Sequence, residues 1–167
     1  MGDDVIIVTY DQAKFRLDAD IRRAWSFIGE TPIVYKNGSK NNISIGGAYS
    51  STGEFHFYKM SWQRKETVLE NIKHIRMKFP NMLLLLDRAP WNKNKMIINY
   101  LERNNIPYMF FPPGTPDLNP TEFCWEITRE EITANRTHNT KEELYNNLER
   151  FWKTHTFTHN VLNYLSP

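Results

Sequence analysis

Three acidic side chains stand where an α/β chain can do chemistry. Asp11 follows the apolar run VIIVTY (5–10), Asp87 follows MLLLL (82–86), and Glu122 lies inside NPTEFCW. A carboxylate beside such runs is costly to bury unless something neutralises it. If the segment 64–79 carries the chain back as a helix, the strands at 5–10 and 82–86 run parallel, and their C-terminal ends share one edge of the sheet. Neighbouring strands lie about 4.8 Å apart, so carboxylates at both ends repel unless a cation sits between them. Hard divalent cations such as Mg²⁺ take oxygen ligands of this kind. Each acid also has a plainer reading. Asp11 and Asp87 can be turn formers at strand ends. Glu122 falls at N3 of a helix with Asn119 as N-cap and Pro120 at N1, which is a capping box. The combination of two strand-end aspartates with a glutamate at the mouth of a following helix favours a shared site.

The elements that must position these acids follow from periodicity. After the strand 5–10, a tight turn at Asp11-Gln12 leads to a second strand over 13–17. Strands over 42–50 and 54–62 are joined by the turn STG. The segment 64–79 has Val68, Ile72, Ile75 and Phe79 at helical spacing and stops at Pro80. A helix over 93–104, a strand over 107–111 and helices over 119–135 and 140–155 complete the chain. The unit 82–111 is strand–helix–strand and asks for a right-handed parallel crossover. Short turns make the early strands antiparallel. Together these give an α/β protein with a mixed sheet and helices on its faces.

Composition excludes several classes. The chain has 167 residues and one cysteine, Cys124, so neither an internal disulfide nor a cysteine-cluster metal site is available. No apolar run approaches the roughly 20 residues a membrane helix needs. The N-terminus MGDDVIIVTY carries acids where a secretory signal carries positive charge, which points to the cytoplasm. Residues 1–100 carry 15 Lys and Arg against 10 Asp and Glu, whereas residues 101–167 carry 6 against 9. Such an asymmetry suits one face meeting an anionic polymer, and it also suits ordinary solvated faces.

The blocks LLLLDRAPWNKNK and IPYMFFPPGTPDLNPTEFCWEITRE resemble the second half of a DDE transposase domain of the Tc/mariner-like superfamily, in its prokaryotic insertion-sequence branch. Relatives place an aspartate after a hydrophobic strand, then a PPYSPDLNPIEXXW-like segment with the third acid. Asp87 and Glu122 have 34 residues between them, a spacing typical of that group, and Trp125 and Arg129 match positions beyond the glutamate. Upstream, VTYDQAKFRLDADIRRAWSFIG resembles the segment around the first aspartate, with Trp25 and Gly29 as a W..G echo. The resemblance spans about residues 5–135.

It implies a ribonuclease-H-like fold with a mixed five-stranded sheet and helices on both faces. It also implies two Mg²⁺ or Mn²⁺ ions on Asp11, Asp87 and Glu122, cleavage of phosphodiester bonds at transposon ends, and joining of 3′-OH ends to target DNA. The expected organisation is a single domain over 1–167: a core over about 5–135, C-terminal helices over about 140–165, and no N-terminal helix-turn-helix domain. A separate helix-turn-helix subunit and a homodimer assembled on DNA are the implied partners, in a prokaryotic cytoplasm at the nucleoid.

Departures keep other readings open. Relatives usually carry an acid after the first aspartate, where this chain has Gln12. They often carry asparagine after the second, then a histidine; here these are Arg88 and Asn92. Arg88 either contacts a phosphate or points to solvent. A catalytically silent DNA-binding or regulatory module, and a related nuclease without strand transfer, are the alternatives. Lys93 and Lys95, with Trp91 and Asn92, are candidate DNA contacts after Asp87, and Arg129 is another. Arg22, Arg23, Lys59, Arg64 and Lys65 can extend a phosphate path or be solvated surface. His155 and His159 stand at metal-ligand spacing on an expected helix, with no third ligand nearby. Cys124 reads as a small buried hydrophobe.

Overall fold

The computed structural model describes residues 4–164. Its strands are β1 (Ile6–Arg16), β2 (Asn42–Ser50), β3 (Phe55–Met60), β4 (Met82–Leu86) and β5 (Tyr108–Phe110). They form one sheet in the order β3-β2-β1-β4-β5. β2 pairs antiparallel with both β1 and β3, while β4 pairs parallel with β1 and β5. The mixed five-stranded sheet is therefore as expected.

The first strand departs from expectation. Residues 6–16 form one strand, with no turn at Asp11-Gln12. Asp11 and Gln12 are paired with Gly47 and Gly46 of β2. Two side-chain-free partners complete the ladder, and this tertiary pairing overrides the local turn tendency of Asp. The parallel pairing with β4 stops at Tyr10–Leu86. β1 thus outruns β4, and Asp11 is the first residue past that pairing, opposite the point where the chain leaves the sheet at Asp87.

Among the described residues four α-helices cover the sheet: α1 (Lys65–Lys78), α2 (Lys95–Arg103), α3 (Pro120–Thr128) and α4 (Lys141–Thr154). α1 and α2 bury Ile72, Ile75, Ile97 and Leu101 with Tyr10, Leu84 and Leu86 in one core. α3 and α4 bury Trp125, Leu148 and Trp152 with Phe15, Ile45 and Tyr49 in a second. Helices therefore lie on both faces. α2 begins at Lys95 rather than 93, because the Asn94 side chain caps it by accepting from Met96 N at 2.9 Å. α3 is shorter than the expected 119–135: it passes into a π-helical turn at Arg129–Thr133, and Asn135 is left-handed at φ 56°. α4 ends at Thr154 with an extended His155, so the expected helical spacing of His155 and His159 does not exist. Among the described residues, a 3₁₀ turn, Val161–Tyr164, is the one helical element after it, in place of the further helices expected to about 165.

Gly47 carries a packing demand as well as a pairing one. A Cβ there would stand 2.3 Å from the Trp125 ring, which is fully buried among Phe15, Phe55 and Trp152. Gly47→Ala is therefore expected to cost about 1–3 kcal/mol through overpacking. At about 2–4 °C per kcal/mol for a domain of this size, thermal unfolding followed by circular dichroism should show a drop of several degrees. An unchanged melting temperature would mean that Trp125 yields without cost.

Candidate active site

The three acids reach one cleft from three elements. Asp11 projects from the middle of β1, Asp87 from the residue after β4, and Glu122 from the first turn of α3. All three line a cavity of about 380 Å³, walled by Phe111 and the 112–116 loop. Asp11 is at its floor, with 7% of its surface exposed.

Each carboxylate is held by the chain. Asp11 Oδ1 accepts from its neighbour Gln12 N at 2.8 Å, and Oδ2 accepts from Asn119 Nδ2 at 3.1 Å. Asn119 also caps α3, its Oδ1 accepting from Thr121 N at 3.1 Å. One amide thus starts the helix carrying Glu122 and fixes Asp11. Asp87 Oδ1 accepts from Ala89 N at 2.9 Å and from Asn92 Nδ2 at 2.5 Å. Glu122 Oε1 faces Arg129 Nη1 at 3.4 Å. The capping-box reading of Glu122 fails here, because the Asn119 N–H is spent on Pro116 O and the Glu122 side chain does not reach back to it.

Electrostatics set Asp11 apart. Burial, then the charge of Asp87, then that of Glu122 push its carboxyl up from 3.8 to about 7. The Gln12 N–H pulls the other way. So does the Trp125 indole, whose buried Nε1–H lies outside hydrogen-bond geometry.

The remaining candidates divide. Arg88 lines the cleft, exposed, its Nε–H donating to Phe111 O at 2.8 Å, which leaves the outer guanidinium nitrogens toward solvent. Arg129 packs on Glu122 and over the Phe15 ring rather than standing free for DNA. Lys93 and Lys95 are exposed and do not line the cleft. Trp25 is fully exposed in the long connection between β1 and β2. His159 Nε2 bonds Pro120 O at 2.9 Å and its ring stacks on Tyr49, whereas His155 stacks on Phe151; neither is arranged as a metal ligand. Cys124 is buried, as expected, and burial pushes its thiol up.

Sequence reasoning missed the supporting amides. Trp91 Nε1–H donates to Gln12 Oε1 at 2.7 Å, Gln12 Nε2 donates to Asn92 Oδ1 at 3.2 Å, and Asn92 donates to Asp87. In the sequence, Gln12 stands out only as a departure from a family pattern, and Asn92 as such a departure and as a candidate DNA contact, although it is fully buried. The available signal was that both flank the aspartates and that both can donate and accept at once.

The donor chemistry suits a hard divalent cation: three carboxylates on one cleft, with Asp87 Oδ2 and Glu122 Oε2 accepting no hydrogen bond among the described residues. Among those residues, however, no three His, Cys, Asp or Glu side chains stand close enough to grip one ion together.

Comparison with known proteins gives a concordant picture. The family described as DDE superfamily endonuclease matches residues 6–153. The Transposable element Tc3 transposase of Caenorhabditis elegans is 23% identical over 160 residues, covering 89% of this chain and 49% of that protein. The structure of the Mos1 transposase paired-end complex with left transposon end superposes with a TM-score of 0.70 at 13% identity, over 95% of this chain and 50% of that one. The Mos1 mariner paired end complex with Mn gives 0.68 at 15% identity, with the same coverage. The fold is thus ribonuclease-H-like, and the chain spans about half the length of these relatives.

The buried carboxyl of Asp11 makes stability depend on pH. Its folded pKa lies above its unfolded one, so the native state holds a proton more tightly. The penalty is absent below about 3.8 and complete above about 7. The metal-free protein should therefore lose stability as pH rises through that window, by at most about 4 kcal/mol from this group. Asp11→Asn removes the titration. Melting temperatures of the two proteins should converge near pH 4 and separate toward pH 8, with the variant the more stable there. Parallel pH profiles would refute the buried, repelled carboxylate.

Proposed function

Because the chain belongs to the DDE superfamily endonuclease family, we propose that its acidic cleft cuts DNA phosphodiester bonds at transposon ends and joins the 3′-OH ends to target DNA. The observation that carries this reading is the convergence of Asp11, Asp87 and Glu122, from three separate elements, on one cleft. Bound Mg²⁺ or Mn²⁺, two ions in the full site, would supply Lewis acidity and an activated water or 3′-hydroxyl for in-line displacement. Support for such a cation comes from the donor set and from the likeness to a Mos1 mariner paired end complex with Mn.

The chain's own residues supply placement. Asn119 and the Gln12 N–H turn the Asp11 oxygens, Asn92 and the Ala89 N–H turn Asp87, and Arg129 holds Glu122. Amide donors orient Asp11 and Asp87 without placing a counter-charge on either. A cation and a substrate phosphate would draw the acids together from their present separation. Arg88, tethered at the cleft rim through Nε, offers its outer nitrogens to that phosphate. Proximity here comes from rigid mounts: two acids sit on or beside central strands and the third on a helix capped by the same Asn119.

The whole assembly is proposed on the same footing. We place the domain in a prokaryotic cytoplasm, in the insertion-sequence branch, as a single catalytic unit over 1–167 working as a homodimer on DNA. A helix-turn-helix module, on a separate subunit, would read the transposon ends. A second reading, a DNA-bound module that is catalytically silent, is favoured by the absence, among the described residues, of three acids already gathered at ligand distance.

Nicking of supercoiled plasmid with millimolar Mn²⁺ separates these readings. Wild type should nick, and Asp87→Asn and Glu122→Gln should each lower the rate about a hundredfold or more. Glu122→Gln should melt within a few degrees of wild type, since its side chain caps nothing. Near-wild-type nicking by that variant would take Glu122 out of the site. DNA binding without nicking by wild type would favour the silent module, and nicking without joining of a 3′-OH oligonucleotide would favour a plain nuclease.

A further inference from the structure

A second cavity, larger than the acidic cleft, opens beside β2 and β3. Its volume is about 630 Å³, within the range of about 300–1,000 Å³ typical of ligand sites, and it shares no lining residue with the cleft. Lys14, Lys40, Lys59, Arg64 and Lys141 line it, and no Asp or Glu does. Among the described residues none of these five cations forms an ion pair, although Lys36, Lys65, Lys73, Arg129 and Lys153 elsewhere all do. The Lys59 ammonium lies over the Tyr145 ring, 4.5 Å from its centroid, so the other four line the cavity with no carboxylate beside them, and an anionic ligand would be drawn to them.

Two indoles share the wall. Trp62 is 65% exposed, a high figure for so large an apolar ring, and the Arg64 guanidinium lies 5.3 Å from the ring centroid. Trp91 is half-buried and its ring is pinned by the Nε1 bond to Gln12 at 2.7 Å. Among the described residues the Trp62 ring makes no hydrogen bond; its backbone carbonyl, not its ring, accepts from Thr67 Oγ1 at the start of α1. Unpaired cations beside accessible aromatic faces are the chemistry that binds single-stranded nucleic acid: phosphates meet the cations and an unstacked base lies on the ring.

We propose that this basic, two-tryptophan cavity is a subsite for an unpaired DNA strand, its phosphates held by Lys14, Lys40, Lys141 and Arg64 and one base stacked on Trp62. The choice of DNA rests on the functional reading above; the site itself does not. Trp91 forms the edge nearest the acids, because its indole begins the bonded series that ends on Asp87. A strand seated here would therefore lie next to the cleft.

The test is fluorescence anisotropy of a labelled oligo-dT with the full chain at low salt, with the same length of duplex and of oligo-rU alongside. Trp62→Ala should weaken oligo-dT binding about 5- to 150-fold, the worth of one stacked base, and Trp62→Phe should restore most of it. Lys14→Ala with Lys141→Ala should lower the slope of log affinity against log salt by about 1.4, two phosphate contacts on a single strand. Binding of oligo-dT by Trp62→Ala equal to wild type would overturn the subsite. Preferred binding of the duplex, with the same loss in Trp62→Ala, would overturn its single-strand character. Tighter binding of oligo-rU would overturn the assignment to DNA. Oligo-dT binding is read without metal and without cleavage, and Lys73→Ala, outside both cavities, should bind as wild type does. The subsite can therefore stand if the cleft proves inactive, and fall if the cleft proves active.

Discussion

A carboxylate on the central strand of the sheet, ionised only at a cost, is the constraint around which the other elements are arranged. Asp11 is buried, sits in mid-strand, and faces two further acids. Each nearby feature limits that cost or uses it. Gly47, its partner across the ladder, leaves room for Trp125 below. Asn119 gives it a donor and starts the helix that brings Glu122. β4 stops one residue short of it, so the floor of the cleft opens where Asp87 turns away. A group that is unfavourable alone becomes favourable when a cation is present. A site built this way trades stability of the empty protein for affinity toward the ion.

Much of this was legible in the sequence because the signals were physical and local. Four consecutive leucines with no alternation mean a strand covered on both faces, and β4 is buried on both. Pro80 ends α1 as expected, since proline disfavours helical backbone before it. The spacing of Asp87, Asn119 and Glu122 carried the family resemblance, and the cleft unites Asp11 with them. What was not legible depended on partners far along the chain. The turn expected at Asp11-Gln12 was a sound local inference, and the Gly46-Gly47 pair of β2 overrode it. The helix expected to carry His155 and His159 stops before both, because the segment after α4 runs extended and packs Phe157 against Tyr49 and Phe55. Glu122 looked like a cap because Asn119 is one. Only the tertiary structure shows that Asn119 caps by itself and that its backbone N–H is already engaged.

Gln12, Asn92 and Trp91 teach the same lesson at the site. Taken one at a time, Gln12 and Asn92 are substitutions in a family pattern and Trp91 a candidate DNA contact. Taken together they form a bonded series in which every donor points toward Asp87. Trp91 can only donate, so the direction of the first bond is fixed by chemistry, and the amides of Gln12 and Asn92 must then pass it on in the same sense. The consequence is that Asp87 receives an N–H rather than competing with a second acceptor. An acid at position 12 could not do this: it would accept from Trp91 but offer no donor to Asn92.

The two cavities differ in the sign of their charge, and the sheet explains how one small domain holds both. Alternate residues of a strand point to opposite faces. Asp11 faces α3 and the other acids, whereas Gln12, one residue on, faces Trp91. Further along β1, Lys14 lines the basic cavity, on the same side of the pleat as Gln12, and Phe15 returns to the core beneath Trp125. A strand that turned after Tyr10 would have supplied the acid alone. By running on to Arg16, β1 gives one face a carboxylate and the other an amide and a lysine, and joins the two through the pleat itself. The unexpected length of β1 is therefore what sets an acidic cleft and a basic cavity side by side.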